Sequence, residues 1–337
     1  GNKMYAIHAG KAALNAHYKR IGWNARAQEG AVDGWYQTKF TLKEEPLVSI
    51  LIPNKDHTDD LDVCLNSFFE RADYQNYEFI IIENNSVLPE TFAYYEKIEK
   101  EHDNVKVVYW EAGFNYSAIN NFGFKFAKGD YIMLLNNDVE LITPDIFQSM
   151  LGFCMRPEVG IVGAKLLYND HTVQHAGVLV GAGGLADHVF KGIHEDDPGY
   201  MGRAISSQDV SAVTAACLLV KRSVYEEVGG LEDEFQVAFN DVDFCLKVRK
   251  AGYLIGTGKT MEEAVEETGM VVTTERFIRF GNEMMLLNSK WDILSTFVDP
   301  YYNPNLSYLE YYKINHTIKE ARKKQLIARG EYSVSKK

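Results

Sequence analysis

The 337-residue sequence lacks long apolar runs, an excess of basic charge and paired cysteines. No run approaches the ~20 apolar residues that cross a bilayer, so we expect a soluble protein. Asp and Glu (47) outnumber Lys and Arg (35), which argues against a nucleic-acid partner because such binding relies on clustered basic residues. Four separated cysteines, and an N-terminus without the apolar core of a secretory signal, predict a reduced, cytoplasmic protein.

Two common nucleotide-binding signatures are also missing. A dinucleotide-binding unit needs a G-x-G-x-x-G turn after its first strand, and the segment "PNKDHTDD" (53–60) contains no glycine. The stretch "GTGKT" (256–260) resembles a phosphate-binding loop, but the required spacing places a glycine where Tyr253 stands. A Rossmann dehydrogenase and a P-loop NTPase are therefore both disfavoured.

Apolar runs alternate with amphipathic segments between Pro46 and Leu141. The runs "LVSILIP", "YEFIII", "NVKVVYW" and "DYIMLL" are too apolar for a one-sided sheet, so we predict buried strands there. Helical spacing of apolar residues occurs between them, over 59–72, 89–101 and 116–128. This pattern predicts an α/β fold with a mostly parallel sheet, which binds ligands at the carboxyl ends of its strands.

Polar segments follow all four predicted strands. They are "PNKD" (53–56), "ENNS" (83–86), "FNYSAINN" (114–121) and "NNDVE" (136–140). Any one of them is an ordinary turn composition, but four at one sheet edge indicate a binding site. Further along, a glycine-rich loop spans 181–203, and a loop of this length is usually functional or mobile. A helix is predicted to begin at Asp241.

Five motifs together resemble the inverting family-2 glycosyltransferases of the GT-A fold. They are "VSILIPNKD", "IIIENNS", "INNFGFKFAKGDYIMLLNNDVEL", "TAACLLVKRSVYEEVGGLEDEF" and "NDVDFCLKVRKAGY", and they cover roughly residues 46–253. The flanks "HAGKAALNAHYKRIG" and "DPYYNPNLS" are similar to the bacterial cell-surface polysaccharide branch, in which rhamnosyltransferases are frequent.

The resemblance implies a domain organisation. We expect a GT-A-type, Rossmann-like, mostly parallel sheet flanked by helices, with helical extensions at both ends. The N-terminal helical extension would span 1–45 and the glycosyltransferase domain 46–255. Within that domain, 46–141 would form the nucleotide-sugar half and 142–255 the acceptor half. Residues 256–337 would form a divergent C-terminal extension with a basic tail.

The resemblance also assigns a metal site at the end of the fourth strand. The family's D-x-D motif is "NND" here, so Asn136 takes its first position and Asp138 the metal position. Mn²⁺ or Mg²⁺ accepts one or two carboxylates together with diphosphate oxygens and waters, so one Asp can suffice. We expect weak metal binding before the donor arrives. Asn136 would bond a ribose hydroxyl.

Nucleotide contacts are implied at the other strand ends. Glu83 occupies the position of the acid that accepts the imide N–H of uracil or thymine, which favours a UDP- or dTDP-sugar. The remaining nucleotide-sugar candidates, for which the open alternative is polar side chains that merely cap turns, are Pro53, Asn54, Asp56, Asn115, Asn121 and Asn137.

The second half carries the residues implied for catalysis and acceptor binding. Asp241 matches the general base, which takes the proton of the acceptor hydroxyl as that oxygen attacks the anomeric carbon. Asn240 and Asp243 flank it and would orient acceptor hydroxyls. In the loop 181–203, His188 and His194 would touch acceptor or diphosphate when the loop closes; ordinary surface histidines are the alternative.

One region departs from the family pattern. The polysaccharide enzymes usually place a metal-binding histidine after the motif "KVRKAGY", but no histidine occurs here between His194 and His316. Residues 261–267, "MEEAVEE", look acidic and helix-prone rather than like a strand that delivers a metal ligand. The segment 313–337 holds eight Lys or Arg against two Glu, which predicts either a solvated tail or peripheral contact with anionic lipid.

These observations lead to one favoured function and one alternative. The favoured function is transfer of a sugar, with inversion, from a UDP- or dTDP-sugar to a glycan or polyprenyl-linked acceptor in bacterial surface polysaccharide synthesis. The alternative is a catalytically impaired carbohydrate-binding or assembly module that keeps the fold. Nucleotidyl transfer to sugar phosphates would require a glycine-rich basic loop after the first strand, and that loop is absent.

Overall fold

A computed structural model describes residues 4–30, 32–263 and 273–313. Its centre is a nine-stranded mixed sheet with helices on both faces. No helix within the described residues is both long and apolar enough to cross a membrane. All four cysteines are buried and unbridged.

The chain begins with a helix and a hairpin. Helix α1 spans Met4–Arg20, and strands β1 (Ala25–Glu29) and β2 (Tyr36–Phe40) pair antiparallel. The predicted helical extension 1–45 therefore contains one helix followed by a two-stranded hairpin in its described part. The ring of Phe40 packs edge-on against Phe153, with centroids 4.9 Å apart, and so fixes the hairpin to the main domain.

Repeated βα units form the first half of the main domain, as the alternation of apolar runs predicts. Parallel pairing joins all of its strands, and the elements are β3 (Val48–Asn54), α2 (Thr58–Arg71), β4 (Tyr77–Glu83), α3 (Pro89–Glu101), β5 (Val105–Tyr109), α4 (Tyr116–Phe124) and β6 (Tyr131–Leu135). The seven residues of β4 are all buried, which explains why this strand shows no alternation of polar and apolar residues.

The second half mixes strand directions. Its elements are β7 (Val139–Glu140), α5 (Ile146–Cys154), β8 (Val159–Leu167), β9 (Val173–His175), β10 (Val178–Val180), β11 (Ala186–His188), a 3₁₀ helix (Tyr200–Gly202), β12 (Cys217–Lys221), α6 (Arg222–Glu227), α7 (Asn240–Lys250), β13 (Leu254–Glu263) and α8 (Thr274–Trp291). The strand order of the large sheet is β5-β4-β3-β6-β12-β8-β13-β7, with β9 paired to β8.

Strand β12 brings its amino end to the edge of the sheet where neighbouring strands end. It lies antiparallel between β6 and β8, which both run in the direction of β3. Its amino end therefore meets the carboxyl ends of β3 and β6. Both faces of the sheet are packed, because neighbouring β3 residues alternate between two cores: Ile50 packs with Phe68 and Phe147, and Leu51 with Ile80 and Val220.

The expectation for residues 261–263 is wrong. Instead of helix-prone sequence, they form the end of β13, which pairs parallel with β8 and, at Glu262 and Glu263, antiparallel with β7. Cross-strand pairing to two neighbours outweighs the weak helix preference of a few residues. Residues 264–267 of the same stretch lie outside the described residues, as does the basic tail after Lys313.

Candidate active site

Hydrogen bonds link the carboxyl ends of β3, β4 and β6. The Asn137 amide donates to Asn54 Oδ1 at 2.7 Å, and Asn54 Nδ2 donates to the Tyr95 hydroxyl at 2.8 Å. The same hydroxyl donates to Glu83 Oε2 at 2.9 Å. The structure thus brings together three predicted nucleotide-binding residues through Tyr95, a helix α3 residue that the sequence motifs do not mark. Pro53 precedes Asn54 at the end of β3.

Glu83 is deeply placed within this cluster. It is 3% exposed, and its two oxygens also accept from the backbone nitrogen and the hydroxyl of Ser86, both at 2.5 Å. Three internal hydrogen bonds leave one of the roughly four acceptor positions of a carboxylate for a ligand. A base-reading role therefore depends on that remaining position.

Asp56 organises the loop after β3. Its Oδ1 accepts from the backbone nitrogens of Val87 and Leu88, both at 3.0 Å, and from the Thr91 hydroxyl at 3.2 Å. Asp56 and His57 both have positive φ, 53° and 42°, which bends the chain sharply into α2. These hydrogen bonds of Asp56 connect the loop to the start of α3.

Asn115 and Asn121 connect α4 to the segment before α7. Asn115 caps α4 by accepting from Ala118 N at 3.1 Å, and its amide donates to the Asp233 carbonyl at 2.8 Å. Asn121 donates to the carbonyl of Leu231 and the carboxylate of Asp233, and accepts from the Tyr225 hydroxyl and the Leu231 nitrogen. These four bonds equal the usual capacity of an amide, so Asn121 serves the fold.

Asp138 is the unsatisfied carboxylate at this edge. It lies three residues after the end of β6, and its Oδ1 is buried with no hydrogen-bond partner. Burial raises the pKa of Asp138 and the Asp60 carboxylate raises it further, while its own backbone N–H and His57 lower it. An anionic oxygen without a donor is what a divalent cation would satisfy, so the residue fits the metal position.

The surroundings of Asp138 supply few other ligands. Glu140 is engaged by Arg71 at 2.6 Å. No group of three or more His, Cys, Asp or Glu side chains is arranged to hold a metal ion in the part of the chain that the structure describes. A cation at Asp138 would therefore need oxygens from a ligand and from water, as the single-acid motif predicts.

Asp241 contacts the segment that leads into β12. It is in the first turn of α7, where the helix dipole favours a carboxylate. Its Oδ2 accepts from Ala215 N at 3.3 Å, and the next residue, Ala216, accepts from Asn136 N at 2.9 Å. Two consecutive alanines therefore connect the proposed base to the strand end that carries the D-x-D-like motif.

The neighbours of Asp241 contact the protein interior. Asn240 is 5% exposed, accepts from Asp241 N at 2.7 Å and donates to the Val237 carbonyl at 3.0 Å. Asp243 is fully buried and is bound by Lys290 at 2.9 Å and by the Trp291 indole N–H at 2.7 Å. The structure thus places Asp243 against α8, where its carboxylate joins two helices.

The two loop histidines differ in position. His194 is exposed and lies 3.6 Å from the Asp196 carboxylate. His188 is half-buried in β11, and its Nδ1 lies 3.2 Å from Nδ1 of the fully buried His175. Burial lowers the pKa of His175 well below 6.5, and repulsion from His188 adds to this effect.

The sequence motifs do not mark His175, although it is the one titratable residue of the predicted strand stretch "TVQHAGVLVG". Its Nε2 accepts from Thr214 N at 3.4 Å. His188 Nδ1 lies close both to His175 Nδ1, at 3.2 Å, and to the Gln174 carbonyl oxygen, at 3.3 Å. The histidine pair and Asp241 are thus hydrogen-bonded to consecutive backbone nitrogens, those of Thr214 and Ala215.

Comparison with known proteins identifies the family of the chain. The model of the family "Glycosyl transferase family 2" matches residues 49–229. The chain is 40% identical to the uncharacterised protein y4gI of Sinorhizobium fredii over 90% of its own length, and 34% identical to the O-antigen biosynthesis protein RfbC of Myxococcus xanthus over 90%. It spans only 34% and 23% of these relatives. The hexosyltransferase Agl10 of Haloferax volcanii is 20% identical, over 68% of this chain and 76% of its own.

Two solved structures share the fold. The mannosyltransferase PcManGT of Pyrobaculum calidifontis, in complex with GDP-Man and Mn²⁺, has a TM-score of 0.53 at 14% identity, over 85% of this chain and 73% of its own. GalNAc-T7 with UDP, GalNAc and Mn²⁺ has a TM-score of 0.57 at 13% identity, over 73% of this chain and 49% of its own. The predicted GT-A fold is confirmed, and the chain belongs to glycosyl transferase family 2.

Proposed function

We propose that this chain transfers a sugar, with inversion, from a UDP- or dTDP-sugar to a glycan or polyprenyl-linked acceptor in bacterial surface polysaccharide synthesis. The observation that carries the proposal is that Ala215 and Ala216 are hydrogen-bonded to Asp241 and to Asn136, and Asn136 lies two residues before Asp138. Asp138 has an unsatisfied buried oxygen, and Asp241 lies in the first turn of a helix next to the two alanines. The similarity to the O-antigen biosynthesis protein RfbC supports the choice of process.

The donor would lie along the carboxyl ends of β3, β4 and β6. Asp138 would hold Mn²⁺ or Mg²⁺, which neutralises charge on the departing diphosphate. The bonded cluster of Asn54, Glu83 and Asn137 would line the nucleotide side. The neighbours solved with Mn²⁺ and a nucleotide or nucleotide-sugar support a donor of this class.

The acceptor would approach Asp241 from the side of α7. The Asp241 carboxylate takes the proton of the acceptor hydroxyl while that oxygen forms a bond to the anomeric carbon, and the bond from this carbon to the diphosphate oxygen breaks. Attack opposite the leaving group inverts the anomeric centre. The Ala215 N–H binds Oδ2 of the Asp241 carboxylate at 3.3 Å and the Val242 N–H binds Oδ1 at 2.7 Å, so backbone groups hold both oxygens.

The loop 181–203 would border the acceptor. Four of its glycines, at 181, 183, 184 and 192, have positive φ, a conformation that favours glycine and permits the bends of a closing segment. His188, which is half-buried beside His175, would contact acceptor or diphosphate oxygens. Contact of the basic tail with anionic lipid is a separate part of the proposal, and that tail lies outside the described residues.

A donor screen tests the proposal. Purified protein is incubated with Mn²⁺ and a panel of UDP- and dTDP-sugars, and release of nucleoside diphosphate is measured, because a transferase hydrolyses its donor slowly even without acceptor. Asp241→Asn serves as the matched control. Release by the wild type that disappears in this variant supports a transferase. Binding of nucleotide with no release from any donor would instead indicate a carbohydrate-binding or assembly module.

A further inference from the structure

A buried glutamate on α8 holds the loop that leads into α7. Glu283 is 4% exposed, and its Oε1 accepts from the backbone nitrogens of Gln236 at 3.0 Å and Val237 at 3.3 Å. Its Oε2 accepts from Ala238 N at 2.6 Å. One side chain thus fixes three consecutive N–H groups that end three residues before Asp241.

Helix α8 makes a second contact, with α7 itself, just after Asp241. The buried carboxylate of Asp243 receives Lys290 and the indole N–H of Trp291, both from the last turns of α8. The contacts of Glu283 precede Asp241 in the chain and the contact of Asp243 follows it. Helix α8 therefore fixes the chain before and after the proposed base, Asp241, rather than the base itself.

The backbone between these two anchors is strained. Phe239, which caps α7, has φ 59° and ψ 7°, a left-handed conformation that a bulky residue adopts only where the surroundings enforce it. It lies directly after the three residues that Glu283 binds. The bonds of Glu283 therefore fix the backbone just before the turn at Phe239 that starts α7, and Asp241 lies in the first turn of this helix.

We propose that Glu283 is a positioning residue for sugar transfer, which orients Asp241 toward the acceptor hydroxyl through residues 236–238. This inference rests on the proposed role of Asp241 as the base. Glu283 is too buried to meet a sugar and acts only through Asp241. It lies far from the family motifs in sequence, so no motif marks it.

The first test is a double-mutant cycle on donor hydrolysis, with UDP-glucose and dTDP-rhamnose as probes. Glu283→Gln keeps the shape but replaces one acceptor oxygen by an NH₂ group that opposes an N–H donor. We expect nucleotide release to fall roughly 10–100-fold, the loss that small misplacements cause, with unchanged UDP and dTDP affinity. Glu275→Gln, an exposed position on the same helix, is the control and should keep the wild-type rate.

The double variant separates positioning from general damage. If Glu283 acts only through Asp241, the variant carrying both Asp241→Asn and Glu283→Gln is no slower than Asp241→Asn alone. Losses that multiply would overturn the inference, as would a wild-type rate in Glu283→Gln. A wild-type rate in Asp241→Asn would instead remove the base from the proposed function, so the two failures are distinguishable.

A second test does not depend on turnover. Hydrogen exchange of the amides of residues 236–238 and of Ala215 should be faster in Glu283→Gln than in the wild type. Unchanged exchange at all of these amides overturns the inference. If Glu283→Gln loses nucleotide binding through unfolding, Glu283→Asp replaces it, since it keeps the charge and shortens the reach by one methylene. Wild-type exchange and rate in that variant would overturn the inference equally.

Discussion

The Asp241 carboxylate lies 3.3 Å from the backbone nitrogen of Ala215, a residue with no functional side chain of its own. This contact fixes one oxygen of the proposed base by backbone alone. The neighbouring Ala216 carbonyl accepts from Asn136 N, so the base and the donor-side strand end share one short segment. The distance between the proposed base and the donor-side strand end therefore depends on how the chain enters β12.

Replacement of the proposed base should abolish most turnover and spare binding. Loss of one general base removes about 10²–10⁴-fold of rate, so Asp241→Asn should show that loss in nucleotide release with unchanged UDP or dTDP affinity. Glu234→Gln, which changes an exposed acid seven residues earlier, is the matched control. Wild-type turnover in Asp241→Asn would assign the role to another group.

Asp138→Asn should lose metal-dependent nucleotide binding and gain stability without metal. Burial raises the pKa of Asp138 above 3.8, so the ionised carboxylate lowers the stability of the metal-free fold as pH rises. Well below pH 3.8 the group is protonated in both the folded and the unfolded state, and its effect on stability disappears. The variant should therefore melt at a higher temperature than the wild type at pH 7, with a difference that vanishes at low pH. Mn²⁺ should no longer raise its affinity for UDP or dTDP, a loss of at least roughly 10–100-fold.

Calorimetry and thermal melting both measure this prediction. Lower stability of metal-free Asp138→Asn at pH 7 would show that the carboxylate is a structural group. Unchanged Mn²⁺-dependent affinity would move the metal to another ligand.

Metal affinity should depend on nucleotide. Asp138 alone supplies a carboxylate at the strand end, and Glu140 is held by Arg71, so a cation would take its remaining ligands from diphosphate and water. Titration with Mn²⁺ should show weak binding to the protein alone and much tighter binding with UDP or dTDP present. Equally tight binding without nucleotide would mean that the protein provides a complete site.

Asn121→Ala should cost stability rather than donor affinity. The substitution leaves the Tyr225 hydroxyl, the Leu231 backbone and Asp233 without their shared partner, and one unsatisfied buried group costs about 1–3 kcal/mol. Denaturant unfolding should show a loss of this size, whereas Asn66→Ala on the exposed face of α2 should show almost none. A large drop in UDP affinity at full stability would return Asn121 to the donor site.

The strands of the first half are predictable because burial on both faces selects continuous apolar runs. The run "YEFIII" forms β4 with every residue buried, and helical spacing places α2 and α3 within a residue of their observed ends. The end of β13 is not predictable in this way. Its last residues, "MEE" (261–263), show no sequence pattern typical of a strand, and they form one because they pair with β8 and β7.

The site is predictable in part, for a physical reason. The motifs find Asp138 and Asp241 because such chemistry requires carboxylates at strand and helix ends. They cannot distinguish a polar residue that faces a ligand from one that holds the fold, and Asn121 and Asp243 use their polar atoms on internal partners. Glu283 contacts the loop before α7, and Lys290 contacts α7 itself, each from more than 40 residues away in sequence. Local sequence patterns therefore do not reveal them.

Strand β12 runs against its neighbours, and so the chain enters it at the edge where the other strands leave. Side chains alternate along a strand, so removal of one alanine from residues 214–216 would turn the segment over and carry the Ala215 N–H away from Asp241. Exchange of Ala215 or Ala216 for another small residue removes none of the hydrogen bonds that the backbone of these two residues makes with Asp241 and Asn136. Residues 214–216 should therefore tolerate substitutions by other small residues far better than insertions or deletions.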